Sequence, residues 1–208
     1  MIGSEKVSDY FARLASRQPT PGGGAAAALH AAQGAALVAM VARYTSGAKY
    51  EEHAAAVERI TRIADEQIAE ALRPADADER SFQAVIDSYK LPSTTERLKA
   101  ARETSIQTAL TQAAQVPAQL IKVAGTVVDL ADELFEIAYT NIISDVAAAA
   151  DAARAAATTA RINIDLNVMA LKTGASRTQL EQQTNGIEEK VIIKADSLTE
   201  RVRRRILG

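Results

Sequence analysis

Two aspartates, Asp76 and Asp78, open the stretch DADERSFQAVIDSYKLP, residues 76–92. On a helix, Asp78 and Phe82 are four apart and share a face, with Ser81, Val85 and Tyr89 nearby. A carboxylate held beside an apolar ring can accept a proton from water or steady a developing cation. The plainer reading is electrostatic. Acidic residues just after a proline suit any helix N-terminus, because they oppose the positive end of its dipole. Asp87, further along, reads as a solvated surface carboxylate.

A second candidate is the loop PTPGGG, residues 19–24, which leads directly into AAAALHAAQGAALVAMVARYT. Pro21, Gly22, Gly23 and Gly24 leave backbone N–H groups at a helix start uncovered by side chains, which can form a pocket wall or a polar cradle. Neither phosphate-loop pattern fits: no Gly-Lys-Ser/Thr follows, and no strand precedes. A glycine run before a helix also serves simply to supply unusual backbone angles. The third candidate is TNIISDVAAAADAARAAATTARINIDLN, residues 140–167. Asn141, Ser144 and Asp145 lie three and four apart and project from one side of an alanine-rich helix. An aspartate there either faces water or is held in a polar pocket. Asn163 follows on the same stretch. His30, on the small-residue helix, reads first as a hydrogen-bonded core histidine and second as a ligand contact, and with two histidines and no cysteine a zinc site has no basis. No nucleophile elbow is present.

The elements that must position these groups are helical. Apolar residues recur at three- and four-residue spacing and strand signals are almost absent. Helices are expected from about Ser4 or Ser8 to Ser16, from Ala25 to Ser46 with Gly47 as a stop, and from near Tyr50 until Pro74 interrupts. A further helix ends before Pro92. The capping-box spacing Ser93–Glu96 starts another that runs to about Gly125. A long helix covers 126–170, with a break near 139–141, and 173–176 form a turn. The last segment sets Ile187, Val191, Ala195, Leu198 and Val202 on one stripe, suited to packing on the bundle or on a second subunit. The basic run RVRRR at 201–205 complements a helix C-terminus.

With 208 residues and no linker or repeat, the chain reads as one all-α domain, residues 1–208, a bundle of long packed helices. Aromatics make up 4% and alanine is abundant, so the side chains between helices are short and the backbones close. A formal charge of −2 gives no global field for nucleic acid or an anionic membrane. The absence of cysteine excludes a disulfide framework and fits a reducing compartment. The charged first twenty residues carry no signal-peptide core, and no membrane span is read from the alanine-rich runs. A cytoplasmic protein is expected.

Taken in order, PTPGGGAAAALHAAQGAALVAMVARYTSGAKY, DADERSFQAVIDSYKLP and ARINIDLN resemble the cyclodeaminase/cyclohydrolase family of folate enzymes. The resemblance implies an all-α homodimer that binds folate in a cleft between helices, with a tetrahydrofolate derivative as substrate and no further cofactor. It also implies a catalytic carboxylate in the Asp-x-Asp segment, here Asp78 with Asp76 as the alternate. The glycine loop, Asn141, Ser144 and Asp145 become substrate-binding candidates, and Arg43 and Lys49 candidates for a glutamate tail. Ala25 stands where the family often has serine, so that hydroxyl is missing here. The implied activity is methenyltetrahydrofolate cyclohydrolase. The alternatives are formiminotetrahydrofolate cyclodeaminase and a non-catalytic folate-binding or scaffold bundle.

Overall fold

The computed structural model describes residues 4–172 and 174–208, apart from the side chains of residues 74–79 and 183. The described residues form seven α-helices: α1 Val7–Leu14, α2 Gly23–Tyr44, α3 Ala54–Tyr89, α4 Glu96–Ile137, α5 Ile143–Ala170, α6 Ala175–Thr184 and α7 Ile187–Leu207. Short 3-10 helices at Ala48–His53 and Thr140–Ile142 carry the chain into α3 and α5. No strand is present among the described residues, as the spacing of apolar residues requires.

The helix α2 is central, packed between α3 and α5 with α4 against it. Its length and apolar composition would let it cross a membrane, but here most of it is core, including Ala27, Ala28, Ala31, Ala35, Val38 and Ala42. It runs antiparallel to α5. At one end Gly23 faces Thr159 and Asn163; eleven residues later Gly34 faces the Ala149 carbonyl and Ala152. The alanine content thus translates into close approach, as small residues let one helix backbone lie near another.

Several boundaries differ from those expected. The helix α2 begins at Gly23 rather than Ala25, so two of the three glycines are helical residues and Gly22 is the N-cap. Pro74 does not divide α3, which is one helix of 36 residues, and α4 passes Pro117 and Gly125 without ending. Beyond Gly125 the buried series Val127, Val128, Leu130, Ala131 and Leu134 continues unbroken. Tertiary burial there outweighs the weak helix propensity of one glycine. The N-cap of α4 is Thr95, which accepts a bond from the Leu98 amide at 3.3 Å, and not Ser93. The break expected near 139–141 is present, and Gly47, at φ +90°, lies just after α2. The helix α6 starts at Ala175, inside the expected 173–176 turn, and the sequence pattern does not predict it.

The C-terminal stripe falls as read. Val191, Ala195, Leu198 and Val202 of α7 are buried, on α5 and α4. The basic run does more than complement a dipole. Arg201 bonds Asp132 at 2.5 Å and also Glu136, Arg205 donates to the Phe135 carbonyl, and both guanidinium groups lie over the Phe135 ring. Lys194 adds bonds to Asp129 and Asp132. This network ties α7 to α4 with partly shielded charges.

Candidate functional site

The site begins at the start of α2. The Thr20–Pro21 peptide is cis, Pro21 and Gly24 are buried, and Gly23 remains exposed. A Cβ added to Gly23 would stand 3.5 Å from Asn163 Nδ2 and 3.8 Å from Thr159 Cγ2. The absence of a side chain therefore leaves the first turn of α2 open beside two polar groups of α5. Asn163 Nδ2 donates to the Thr159 carbonyl at 3.2 Å, and Asn167 Nδ2 donates to the Asn163 carbonyl at 2.9 Å. These bonds fix the amide planes along the helix and leave both amide oxygens free to accept from a ligand. Thr159, Asn163 and Asn167 are all half-buried.

Against this end packs the C-terminal half of α3. Val85 joins the cluster of Ala25, Ala28, Ile106 and Ile164, and Phe82 is exposed. Asp76 and Asp78 have their side chains outside the described residues. Asp87 is a surface carboxylate, as read. Hydrogen bonds from Lys90 and Gln83 hold it below the ordinary carboxylate value.

Asn141, Ser144 and Asp145 lie elsewhere. They sit where α5 begins, beside the C-terminal end of α2, where the Tyr139 amide donates to Thr45 Oγ1 at 3.1 Å. Asn141 and Ser144 are exposed, and Asn141 donates to the Tyr139 hydroxyl at 2.7 Å. The 22 residues of α2 separate this group from the glycine start, roughly 30 Å at the rise of an α-helix. Within one chain the two sets do not line one pocket. Asn141 falls in the 3-10 turn Thr140–Ile142 and Ser144 and Asp145 in the first turn of α5, while the antiparallel register of α2 and α5 puts Asn163 opposite the glycines. Arg43 and Lys49 are also at the distant end, with Arg43 paired to Asp65 and Lys49 over the Tyr50 ring.

His30 is not a core histidine. It is exposed and has no hydrogen-bond partner, on the wall of a groove between α1 and α2. The polar residues missed at the site itself are Thr159 and Asn167. Their signal was present as polar positions four residues either side of Asn163 on an otherwise alanine-rich helix.

An all-α bundle whose small-residue central helix starts at a Pro-Gly-Gly-Gly turn, facing Asn163 and Thr159 of its antiparallel neighbour, defines the class of protein. The chain belongs to the formiminotransferase-cyclodeaminase family, which it matches over residues 6–186. It is 36% identical over 204 residues to the methenyltetrahydrofolate cyclohydrolase of Methylorubrum extorquens, covering 97% of this chain and 96% of that protein. To the formimidoyltransferase-cyclodeaminase of Sus scrofa it is 31% identical over 94% of its length, spanning 36% of the longer protein. The crystal structure of formiminotetrahydrofolate cyclodeaminase from Thermotoga maritima superimposes with a TM-score of 0.84 at 26% identity, covering 100% of this chain and 98% of that one.

Proposed function

We propose that this protein hydrolyses 5,10-methenyltetrahydrofolate to 10-formyltetrahydrofolate. The observation that carries the reading is the 36% identity, across nearly the full length of both chains, to a methenyltetrahydrofolate cyclohydrolase. The substrate holds an amidinium-like cation whose carbon bridges N5 and N10. Water adds to that carbon, forming a C–O bond and losing a proton to a carboxylate. The hydroxyl of that adduct then gives up its proton as its oxygen becomes the formyl carbonyl, the bond from carbon to N5 breaks, N5 takes up that proton, and the formyl group stays on N10. We assign the carboxylate to Asp78, with Asp76 as the alternate. It attracts the cation and accepts the water proton. The amide oxygens of Asn163 and Asn167 and the open first turn at Gly23 supply acceptors and donors for the flat pterin edge.

Such a protein acts in the cytoplasm as a homodimer in this reading. Ile162, Leu166 and Met169 are 63%, 65% and 79% exposed at spacings of four and three along α5, a stripe for a second copy to cover. The second reading is cyclodeamination, favoured by the superposition on the Thermotoga maritima enzyme. There N10 attacks a formimino carbon and ammonia departs, so the carboxylate side must supply a proton.

The test follows the absorbance of methenyltetrahydrofolate with wild type and Asp78→Asn, and ammonia release from formiminotetrahydrofolate in parallel. General-base assistance is worth about 10²–10⁴-fold, so Asp78→Asn is expected to lose at least that order of rate. Equal rates in both proteins refute the choice of aspartate. Ammonia release without methenyl hydrolysis replaces the first reading with the second.

A further inference from the structure

The groove between α1 and α2 has no role in the chemistry above. It encloses about 510 Å³, within the range of small-molecule sites. Leu14 and Phe11 of α1, Leu29, His30 and Gln33 of α2, and Ile68 of α3 are among its lining residues. The lining has the composition of a ligand pocket: apolar walls with a few polar groups. Of these, the Glu5 carboxylate is paired with Arg13 at 2.9 Å, while His30 and Gln33 are free. Neither His30 nor Gln33 makes a hydrogen bond or ion pair, and both are exposed. Tyr10 also lines the groove. It is 4% exposed, and its hydroxyl is buried with no hydrogen-bond partner. An unpaired buried hydroxyl is uncommon enough to need an explanation.

Position ties the groove to the site. His30 is seven residues beyond Gly23 on α2, just under two turns, so the two project from nearly the same side about 10 Å apart along the axis. Ala26, between them, also lines the groove. Phe11, 58% exposed, offers a ring face at the groove edge, and aromatic rings pair favourably in offset or edge-to-face arrangements.

We infer that this groove binds the aryl-amide half of the folate substrate, the reacting ring system being held at the glycine start. The aryl ring packs on Phe11 and Leu29, and the benzamide group, which has one donor and one acceptor, bonds to Gln33 and His30. The identity of the ligand rests on the cyclohydrolase reading. The contact is one of binding and not of chemistry, so its loss acts on KM.

The experiment compares wild type with the double variant His30→Ala, Gln33→Ala in steady-state hydrolysis of methenyltetrahydrofolate, with p-aminobenzoylglutamate as a competitive probe. Both positions are exposed and helical, where alanine is well tolerated. KM is expected to rise about tenfold or more with kcat changed less than about threefold, and inhibition by the probe to weaken in parallel. A KM within about twofold of wild type, in a variant with an unchanged circular dichroism spectrum, overturns the proposal. Leu29→Arg is run beside it. A change in sedimentation from dimer to monomer with the double variant's KM unaltered assigns the groove to subunit contact and also overturns it. If wild type does not hydrolyse methenyltetrahydrofolate, the cyclohydrolase reading fails by itself, and calorimetric binding of 5-formyltetrahydrofolate decides the groove. Binding by wild type that the double variant loses sustains the proposal; equal binding, or none by wild type, overturns it.

Discussion

Gly34 lies tight against the α5 backbone, and replacing it with alanine separates two opposing effects. In an exposed helix interior Gly→Ala is stabilising by about 1 kcal/mol. At Gly34 the new Cβ would stand 3.0 Å from the Ala149 carbonyl oxygen and 3.1 Å from Val127 Cγ1. Carbon contacts are best near 3.5–4.0 Å, so both neighbours must retreat by several tenths of an ångström. The Val127 methyl can turn, but the carbonyl belongs to the α5 backbone and moves only with the helix. Overpacking of this kind costs about 1–3 kcal/mol, leaving Gly34→Ala destabilised by about 1 kcal/mol net, a fall in Tm of about 2–4 °C for a chain this size. Gly125→Ala is the internal control. Its Cβ would meet only Val191 Cγ2, at 3.8 Å, so the helix gain of about 0.5–1 kcal/mol should remain. Urea unfolding of both variants followed by circular dichroism reads the two signs directly. Equal stabilisation at both positions would refute the close α2–α5 approach as the reason for glycine at 34.

Thr45 is 1% exposed; its hydroxyl donates to the Val41 carbonyl and accepts from the Tyr139 amide. Thr45→Val should therefore leave that amide unpaired and lose about 1–2 kcal/mol in urea unfolding, and a loss below about 0.3 kcal/mol would show that the bond does not join α2 to the α4–α5 link. Burial opposes the charge on Asp132, but hydrogen bonds from Arg201 and Lys194 outweigh it and hold the carboxyl below its ordinary 3.8. The sign follows: the stability it contributes is present above that ordinary value and is lost as the pH falls through the depressed one. Asp132→Asn should be destabilised at neutral pH by roughly 1 kcal/mol, a figure kept low because the pair is part-exposed, and the difference from wild type should shrink as the pH falls below 3.8 and disappear only below the depressed value. A difference independent of pH would remove the ion pairs as its cause. The proposed dimer predicts that Leu166→Glu, which places a charge in the exposed α5 stripe, sediments as a monomer where wild type sediments as a dimer. An unchanged dimer would place the subunit contact on another face.

Much of the architecture is legible in the sequence because helical periodicity is local. The Val191, Ala195, Leu198 and Val202 stripe is buried as its spacing requires. The break after α4 and the glycine start of α2 also lie close to where their residue types place them. Local signals misled wherever burial outweighed them. Gly125 read as an interruption, yet α4 runs through it because its buried face continues on both sides; α3 also runs through Pro74, and nothing described there explains it.

The sequence by itself determined the helical class, the family resemblance and the residue types available for chemistry, since each of these is carried by order along the chain. Only the tertiary structure decided which of those residues meet. The antiparallel register of α2 on α5 sets Gly23 against Thr159 and Asn163 and carries Asn141, Ser144 and Asp145 to the opposite end. The exposure of His30 was likewise decided by which helices cover α2 and which leave it open. Periodicity fixes the side of its own helix from which a residue projects. The neighbour on that side is chosen by long-range packing, and that choice separates a binding wall from a core position.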